Sequence, residues 1–236
     1  VPVHASSSGT VTGIEQWPVS RRSGETAPCI VIECDGQDKA GPAASAADYR
    51  MLDPAALQLR ILDGGIAGLG GAVFPTAQKL MQALTGRLEY LILNGVECEP
   101  YISCDDVLMR EHAREIIGGA QILMHALGIE VCFIAVESDK PEAIRKLTEA
   151  LREADDDRLV VKQVPTIYPS GGEDQLVQLV ADREVPSTGL PTDVGCLVQN
   201  VGTAAAIYDW IVSNEPLVSR VTTVTGDGVA QPMNVR

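Results

Sequence analysis

The sequence holds no C-x-x-C pair, no paired histidines and no cluster of lysine or arginine, and none of its apolar runs approaches the roughly 18 residues that span a bilayer. Its six cysteines (29, 34, 98, 104, 132 and 196) have spacings that fit no usual zinc or iron–sulfur run, and they read as reduced cytosolic thiols, several of them buried. The histidines are scattered, and His125, between Met124 and Leu127, reads as a packed or surface residue rather than a ligand, so no metal site is legible. With Asp and Glu outnumbering Lys and Arg by 32 to 18, the net charge is −14 and nucleic acid is excluded as a partner. Any membrane association is expected to go through partner proteins. No signal peptide is visible, and the chain opens inside a β-like pattern.

The chain does hold enough apolar residues, 45% of 236, to bury a sizeable core. Residues 1–34 read as short strands: PVHAS, then SSGTVTGIEQ with its Thr-Val-Thr alternation, then PCIVIEC. The stretch DGQDKAGPAASAAD (35–48) is small, polar and rich in Gly, Pro and Ala, which marks a linker, placed between domains at 39–52. Helices and strands then alternate. Asp53-Pro54 opens a helix that the glycines at 64 and 65 end, and EYLILNG (89–95) is a strand. Ser103 and Asp106 have capping-box spacing before one long helix with Met109, Ala113, Ile116, Ala120, Leu123 and Leu127 on its buried stripe, closed by Gly128. IEVCFIAVE is a strand, Asp139 with Glu142 opens a further helix, and RLVVKQV, EDQLVQLV, GCLVQN and TAAAIYDWIV continue the pattern. An α/β fold follows: a mostly parallel, Rossmann-like sheet over 53–214 with helices on both faces. VSRVTTVTG and VAQPMNV, within 215–236, read as a new hairpin.

Four loops carry chemistry. GGIAGLGGAVFPTAQKL (64–80) sets Gly68, Gly70 and Gly71 ahead of Phe74-Pro75 and a helix with Lys79. Glycines admit a flat ring or a phosphate to the backbone, and the helix amides with Lys79 favour an anion; a tight turn between helices accounts for the composition equally well. A dinucleotide fingerprint fails here, because Val73 occupies its third position and no strand precedes the loop. LNGVECEPYISCDD (93–106) carries Asn94, Glu97 and Glu99 at the end of a parallel strand, the usual ligand position, although a solvated turn has the same look. TIYPSGGEDQL (166–176) offers Tyr168, a Ser-Gly-Gly turn and Glu173, and LVQNVGTAAAI (197–207) ends a strand at Gln199-Asn200 and starts a helix near Thr203.

In this order and spacing, GLGGA with FPT and Lys79, then NGVECEP, YPSGGE, EVPSTGLP and QNVGTA, the chain resembles the RnfC/RsxC family of the Rnf/Rsx electron-transport complexes. Their glycine-rich flavin loop is shared with the complex I flavoprotein. VPVHASSSGTVTGIE (within 1–38) resembles the family's barrel-sandwich, lipoyl-like portion, without a lysine for lipoyl or biotin, and RVTTVTGDGVAQPMNV the first hairpin of its β-grasp module. The resemblance implies FMN contacts from Gly68, Gly70, Gly71, Lys79, Asn94, Glu97, Gln199, Asn200 and Thr203, and NADH contacts from Phe74, Glu99, Tyr168, Gly171 and Glu173. It implies hydride exchange between NAD(H) and FMN with no general acid or base, two downstream 4Fe–4S clusters, other subunits and a ferredoxin-type electron partner, and a peripheral position on the cytoplasmic side of the bacterial inner membrane. Without the cluster-binding cysteines this chain would be incomplete as an oxidoreductase subunit. A soluble relative such as a cobalamin reductase, or a docking module without cofactor, stays open beside this reading. Three departures stand out: Val73 replaces a glycine or alanine of the family, Val96 an aspartate of the complex I flavoprotein, and Leu69 its arginine.

Overall fold

A computed structural model describes residues 2–19, 24–39, 41, 48–84 and 86–236. The chain divides into two compact units, His4–Ser45 and a larger one that includes Ala46–Arg236. Half of the linker expected at 39–52 lies outside the described residues; where description resumes, Tyr49–Met51 forms a 3-10 turn with Tyr49 buried.

In the smaller unit, β1 (Gly9–Pro18) pairs antiparallel with β2 (Thr26–Cys34), with an irregularity between Val11 and Gly13. Gly9 is required by crowding, since a Cβ there would stand 2.1 Å from the Glu33 carbonyl oxygen. The expected strand PVHAS does not form: residues 2–6 lie outside any strand, and among the described residues β1 and β2 pair only with each other.

The larger unit is built on four parallel strands, β3 (Tyr90–Gly95), β4 (Val131–Glu137), β5 (Leu159–Val164) and β6 (Cys196–Asn200), in the order β5-β4-β3-β6. The chain steps outward from β3 to β5, then crosses back to lay β6 on the free side of β3. That reversal makes the β3/β6 boundary the switch point of the sheet, where a crevice opens at the carboxyl ends of the strands. β3 is apolar at consecutive positions because both faces are covered. Leu91 and Leu93 face a cluster with α1 (Pro54–Asp63), α4 (Ala113–Leu127), α5 (Pro141–Ala154) and α7 (Val201–Tyr208), while Ile92 faces α6 (Glu173–Ala181). α2 (Thr76–Ala83) follows the glycine loop, and the hairpin β7 (Thr222–Val224) and β8 (Met233–Val235) ends the chain.

Local chemistry sets some element ends. The Asp53 carboxylate accepts from the Ala56 amide at 2.9 Å and Pro54 opens α1. Gly128 closes α4 in the left-handed conformation, φ 66°. Three expectations need correction. The long helix breaks at His112 (φ −124°, ψ 34°) into α3 (Cys104–Glu111) and α4, and the one-residue break keeps both Met109 and Ile116 fully buried. Ser103 does not cap α3; the Glu97 carboxylate does, because a full charge aimed at a helix N-terminus binds its amides better than a hydroxyl. Asp139 and Glu142 do not cap α5, which starts at Pro141, where the missing N–H costs nothing.

Candidate flavin site at the switch point of the sheet

A cavity of about 470 Å³ lies at the carboxyl ends of β3 and β6. Its floor is Asn94, Gln199 and Asn200, its front the glycine loop, and its far walls Lys79 and Gln82 of α2 and Glu173 at the start of α6.

The glycine loop is tied at both ends. Gly68 donates its N–H to the Phe74 carbonyl at 2.8 Å, and Thr76 donates to Ile66 at 3.0 Å. Between these ties the backbone turns left-handed at Gly71 (φ 100°) and again at Val73 (φ 55°), a conformation costly for a β-branched residue. Thr203, fully buried at the start of α7, accepts the Leu69 N–H at 2.9 Å, and Arg220 donates to the Leu69 carbonyl at 2.8 Å. Residue 69 is thus held from both sides while Gly68 and Gly70 present bare backbone to the cavity. A Cβ on Gly70 would come within 3.3 Å of the Asn200 side chain, tight enough to press on the wall.

The two asparagines hold the walls together. Asn94 donates to the Gly171 carbonyl at 2.9 Å and accepts from the Val96 amide at 3.0 Å, fixing the 166–172 turn against the end of β3. Gly171 sits there because a Cβ would meet the Val96 carbonyl at 2.6 Å. Asn200 accepts from the amides of Gly202 and Thr203, capping α7, and donates to the Asp105 carboxyl at 2.6 Å. Gln199 differs. The residue is 4% exposed, it lines the cavity, and its Nε2 has no hydrogen-bond partner, a condition that is rare in a finished core.

Ten of the fourteen residues named from the sequence line this cavity: Gly68, Gly70, Phe74, Lys79, Asn94, Gly171, Glu173, Gln199, Asn200 and Thr203. Four lie outside its lining. Gly71 turns the loop, and Glu99 and Tyr168 are exposed nearby in sequence to lining residues. Glu97 is buried, with its carboxylate accepting from the amides of Asp105 (2.8 Å) and Asp106 (3.0 Å) and from the Cys104 thiol. Its charge has consequences beside it. Burial first, then the charge of Asp105 and of Glu97, pushes the Cys104 thiol up to about 11. Burial, then Glu97, pushes the Asp105 carboxyl up to about 7 against the Asn200 hydrogen bond and the charge of Arg220. Asp105 and Arg220 were invisible as site-supporting residues in the sequence, because both act across more than ninety residues of chain. Leu190, Pro191 and Thr192, from the EVPSTGLP run, also line the cavity.

Another cavity, about 500 Å³, lies against α4, α5 and α7 and includes Arg50, Arg114, Tyr208 and Glu153. Its arginines are exposed and paired, Arg50 with Asp48 and Arg114 with Glu153. Among the described residues, no buried unpartnered side chain lines it.

Against this geometry the comparisons with known proteins are specific. Residues 61–209 match the model of the Nuo51 FMN-binding domain, which spans every residue of the cavity lining. The chain belongs to that family. Residues 1–37 match the RnfC barrel sandwich hybrid domain. Relatives include the C subunit of the ion-translocating oxidoreductase complex of Pseudomonas aeruginosa, 49% identical over 99% of this chain and 30% of the relative. The proteins of the same name from Vibrio cholerae and Serratia proteamaculans are 46% and 47% identical over the whole of this chain and 30% and 33% of their own lengths. The chain thus spans about a third or less of these relatives. A chain of the NAD+-reducing NiFe-hydrogenase in its H2-reduced state shares the fold at TM-score 0.68 and 24% identity, over 83% of this chain and 40% of that one.

The cavity of this Nuo51-family domain suits an FMN-like ligand on its own chemistry. An orphaned buried donor on Gln199, glycines where a Cβ would fill the space, and one lysine at the far wall ask for a flat ring with acceptors on its edge and an anionic end.

Proposed function

We infer that the chain is the FMN- and NADH-handling portion of a subunit of an ion-translocating oxidoreductase complex, exchanging hydride between NAD(H) and FMN and electrons with iron–sulfur clusters of the full-length protein. The observation that carries this reading is the buried Nε2 of Gln199, an unspent donor on the wall of a cavity at the sheet's switch point. Bound FMN would supply the redox chemistry, hydride acceptance from NADH and one-electron release. The chain's own part is to bind and orient. Gln199 donates to an acceptor on the ring edge, and Gly68 and Gly70 let the ring lie on backbone. Lys79 would hold the phosphate, with Thr203 and Asn200 keeping the loop and α7 in register. Phe74, 41% exposed at the cavity, supplies a flat surface for the second ring. Asn94, Gly71 and Glu97 complete the proposed FMN set, Glu97 by fixing the start of α3, and Gly171, Glu173, Tyr168 and Glu99 the set toward the nucleotide.

The proposed setting is a peripheral one, on the cytoplasmic side of the bacterial inner membrane, among the other Rnf/Rsx subunits and with a ferredoxin-type partner. In its support, no helix of the described residues is long and apolar enough to cross a membrane, and the relatives' name makes them subunits of a complex. The 4Fe–4S clusters belong, on this reading, to the portion of the relatives that this chain does not span. The proposed modules are 1–38, a linker at 39–52, the FMN/NADH domain at 53–214 and a β-grasp start at 215–236.

Titrating the chain into FMN and into FAD, followed by flavin absorbance and fluorescence, tests the reading. One FMN per chain is expected, with FAD no tighter, and Gln199→Leu should weaken FMN by about 1–2 kcal/mol, a lost hydrogen bond in a buried site. An unperturbed flavin spectrum at high protein concentration would overturn it.

A further inference from the structure

The cavity carries a feature that flavin binding alone does not ask for. Among its described lining residues Lys79 is the single cation and Glu173 the single acid, and the two are bound to each other, Nζ to Oε1 at 2.5 Å. The pair bridges α2 and α6 across 94 residues of sequence, so it is a tertiary contact and not a product of local spacing. Its side chains are 26% and 47% exposed, so water competes for both partners and the pair can open.

We propose that Glu173 is a specificity-determining residue of this cavity: it occupies Lys79, so that the cation is yielded to a ligand bearing a phosphate dianion and withheld from its uncharged counterpart. The inference rests on the flavin reading above. A phosphate monoester brings about −1.5 to −2 charges and three acceptor oxygens at neutral pH, where the carboxylate brings one charge and two oxygens. An ammonium group with three rotatable donors therefore exchanges the carboxylate for the phosphate. Riboflavin, which ends in a hydroxyl, has nothing to displace Glu173 with, and it enters with the ion pair closed. Once displaced, Glu173 is not stranded. It is the first residue of α6, where the helix amides favour a negative charge and its own exposure admits water. The displaced carboxylate still stands near the phosphate and repels it, so Glu173 holds FMN affinity below what Lys79 alone would give.

The test is a set of calorimetric titrations with FMN and riboflavin at low and high salt, on the wild-type chain, Glu173→Gln, Lys79→Met and the double variant. Glu173→Gln should tighten FMN by roughly two- to fivefold, the range for a partly exposed ion pair, and leave riboflavin unchanged. The gain should shrink as salt screens the charges. In the Lys79→Met background the same substitution should give a smaller gain, because the partner through which Glu173 acts is gone. Equal tightening for both flavins would make Glu173 a steric obstacle and overturn the proposal, as would no change for either. If riboflavin and FMN bind the wild-type chain equally and Lys79→Met changes neither, Lys79 is not the phosphate partner and the proposal falls while the flavin reading stands. If neither flavin binds any of the four chains, the flavin reading itself is overturned.

Discussion

Val73 is the residue at which sequence and conformation conflict most openly. A β-branched side chain in the left-handed region costs roughly 1–2 kcal/mol, and Val73 sits at φ 55° with its side chain 60% exposed on the cavity. Glycine removes the strain and the methyls but loosens the unfolded chain by about 0.5–1 kcal/mol. Val73→Gly is therefore expected to raise stability slightly, by up to about 1 kcal/mol, and to tighten FMN. Chemical denaturation and calorimetry read the two effects separately, and weaker FMN binding by the glycine variant would show that Val73 does not obstruct the ring.

Asp105 gives the residue scale its pH dependence. Burial first, then the carboxylates of Glu97 and Glu99, raise it from 3.8 to about 7, opposed by the Asn200 hydrogen bond and Arg220. The folded chain then keeps a proton that the unfolded chain has lost. Stability from this group is complete below the unfolded value and disappears as pH rises through about 7. Asp105→Asn keeps an acceptor for Asn200 without the charge, so it should stabilise the chain above pH 7 by on the order of 2 kcal/mol and flatten the profile below. Urea unfolding at acid and mildly alkaline pH checks this; an unchanged profile would mean that Asp105 is solvated.

At the scale of elements, the closest packing is between α4 and α7. Gly118 and Gly119 let the helices approach until a Cβ at Gly119 would lie 1.9 Å from the Ala204 carbonyl oxygen, and one at Gly118 2.2 Å from the Tyr208 ring. Alanine raises helix propensity by about 1 kcal/mol, but here it must push a backbone away. Gly119→Ala should accordingly destabilise the chain by about 1–3 kcal/mol net, the usual cost of overpacking. Since Asn200 caps α7 and Thr203 lies in its first turn, the same substitution should also weaken FMN, and thermal melts with and without flavin would separate the two effects. A melt equal to that of the wild type would show that the two helices separate freely.

For the whole molecule, every residue of the cavity lining belongs to the larger unit. Removal of residues 4–45 is therefore expected to leave FMN affinity within about twofold, because no lining contact is lost. A tenfold loss on titration would show that the smaller unit shapes the site. The arrangement also explains what a family match alone does not: the order β5-β4-β3-β6 puts the strand ends bearing Asn94 and Asn200 side by side, although they lie far apart in the sequence.

Alternating helices and strands, the parallel sheet and the glycine loop were legible in the sequence, because periodicity and turn chemistry act over a few residues. The breaks came where distant groups compete for the same backbone. Ser103 and Asp106 have the right spacing for a cap, but the fold delivers Glu97 to those amides and sends the Ser103 hydroxyl to Asn234 instead. The continuous stripe from Met109 to Leu127 implied one helix, and the chain leaves helical geometry at His112 without breaking that stripe. By itself the sequence determined the element types and named most of the cavity wall. Only the tertiary structure decided that Gln199 would be left with an unspent donor, that burial would raise the Asp105 carboxyl, and that Lys79 would meet Glu173. Those outcomes depend on which charges and donors folding brings within a few ångströms of one another, and no local pattern encodes that.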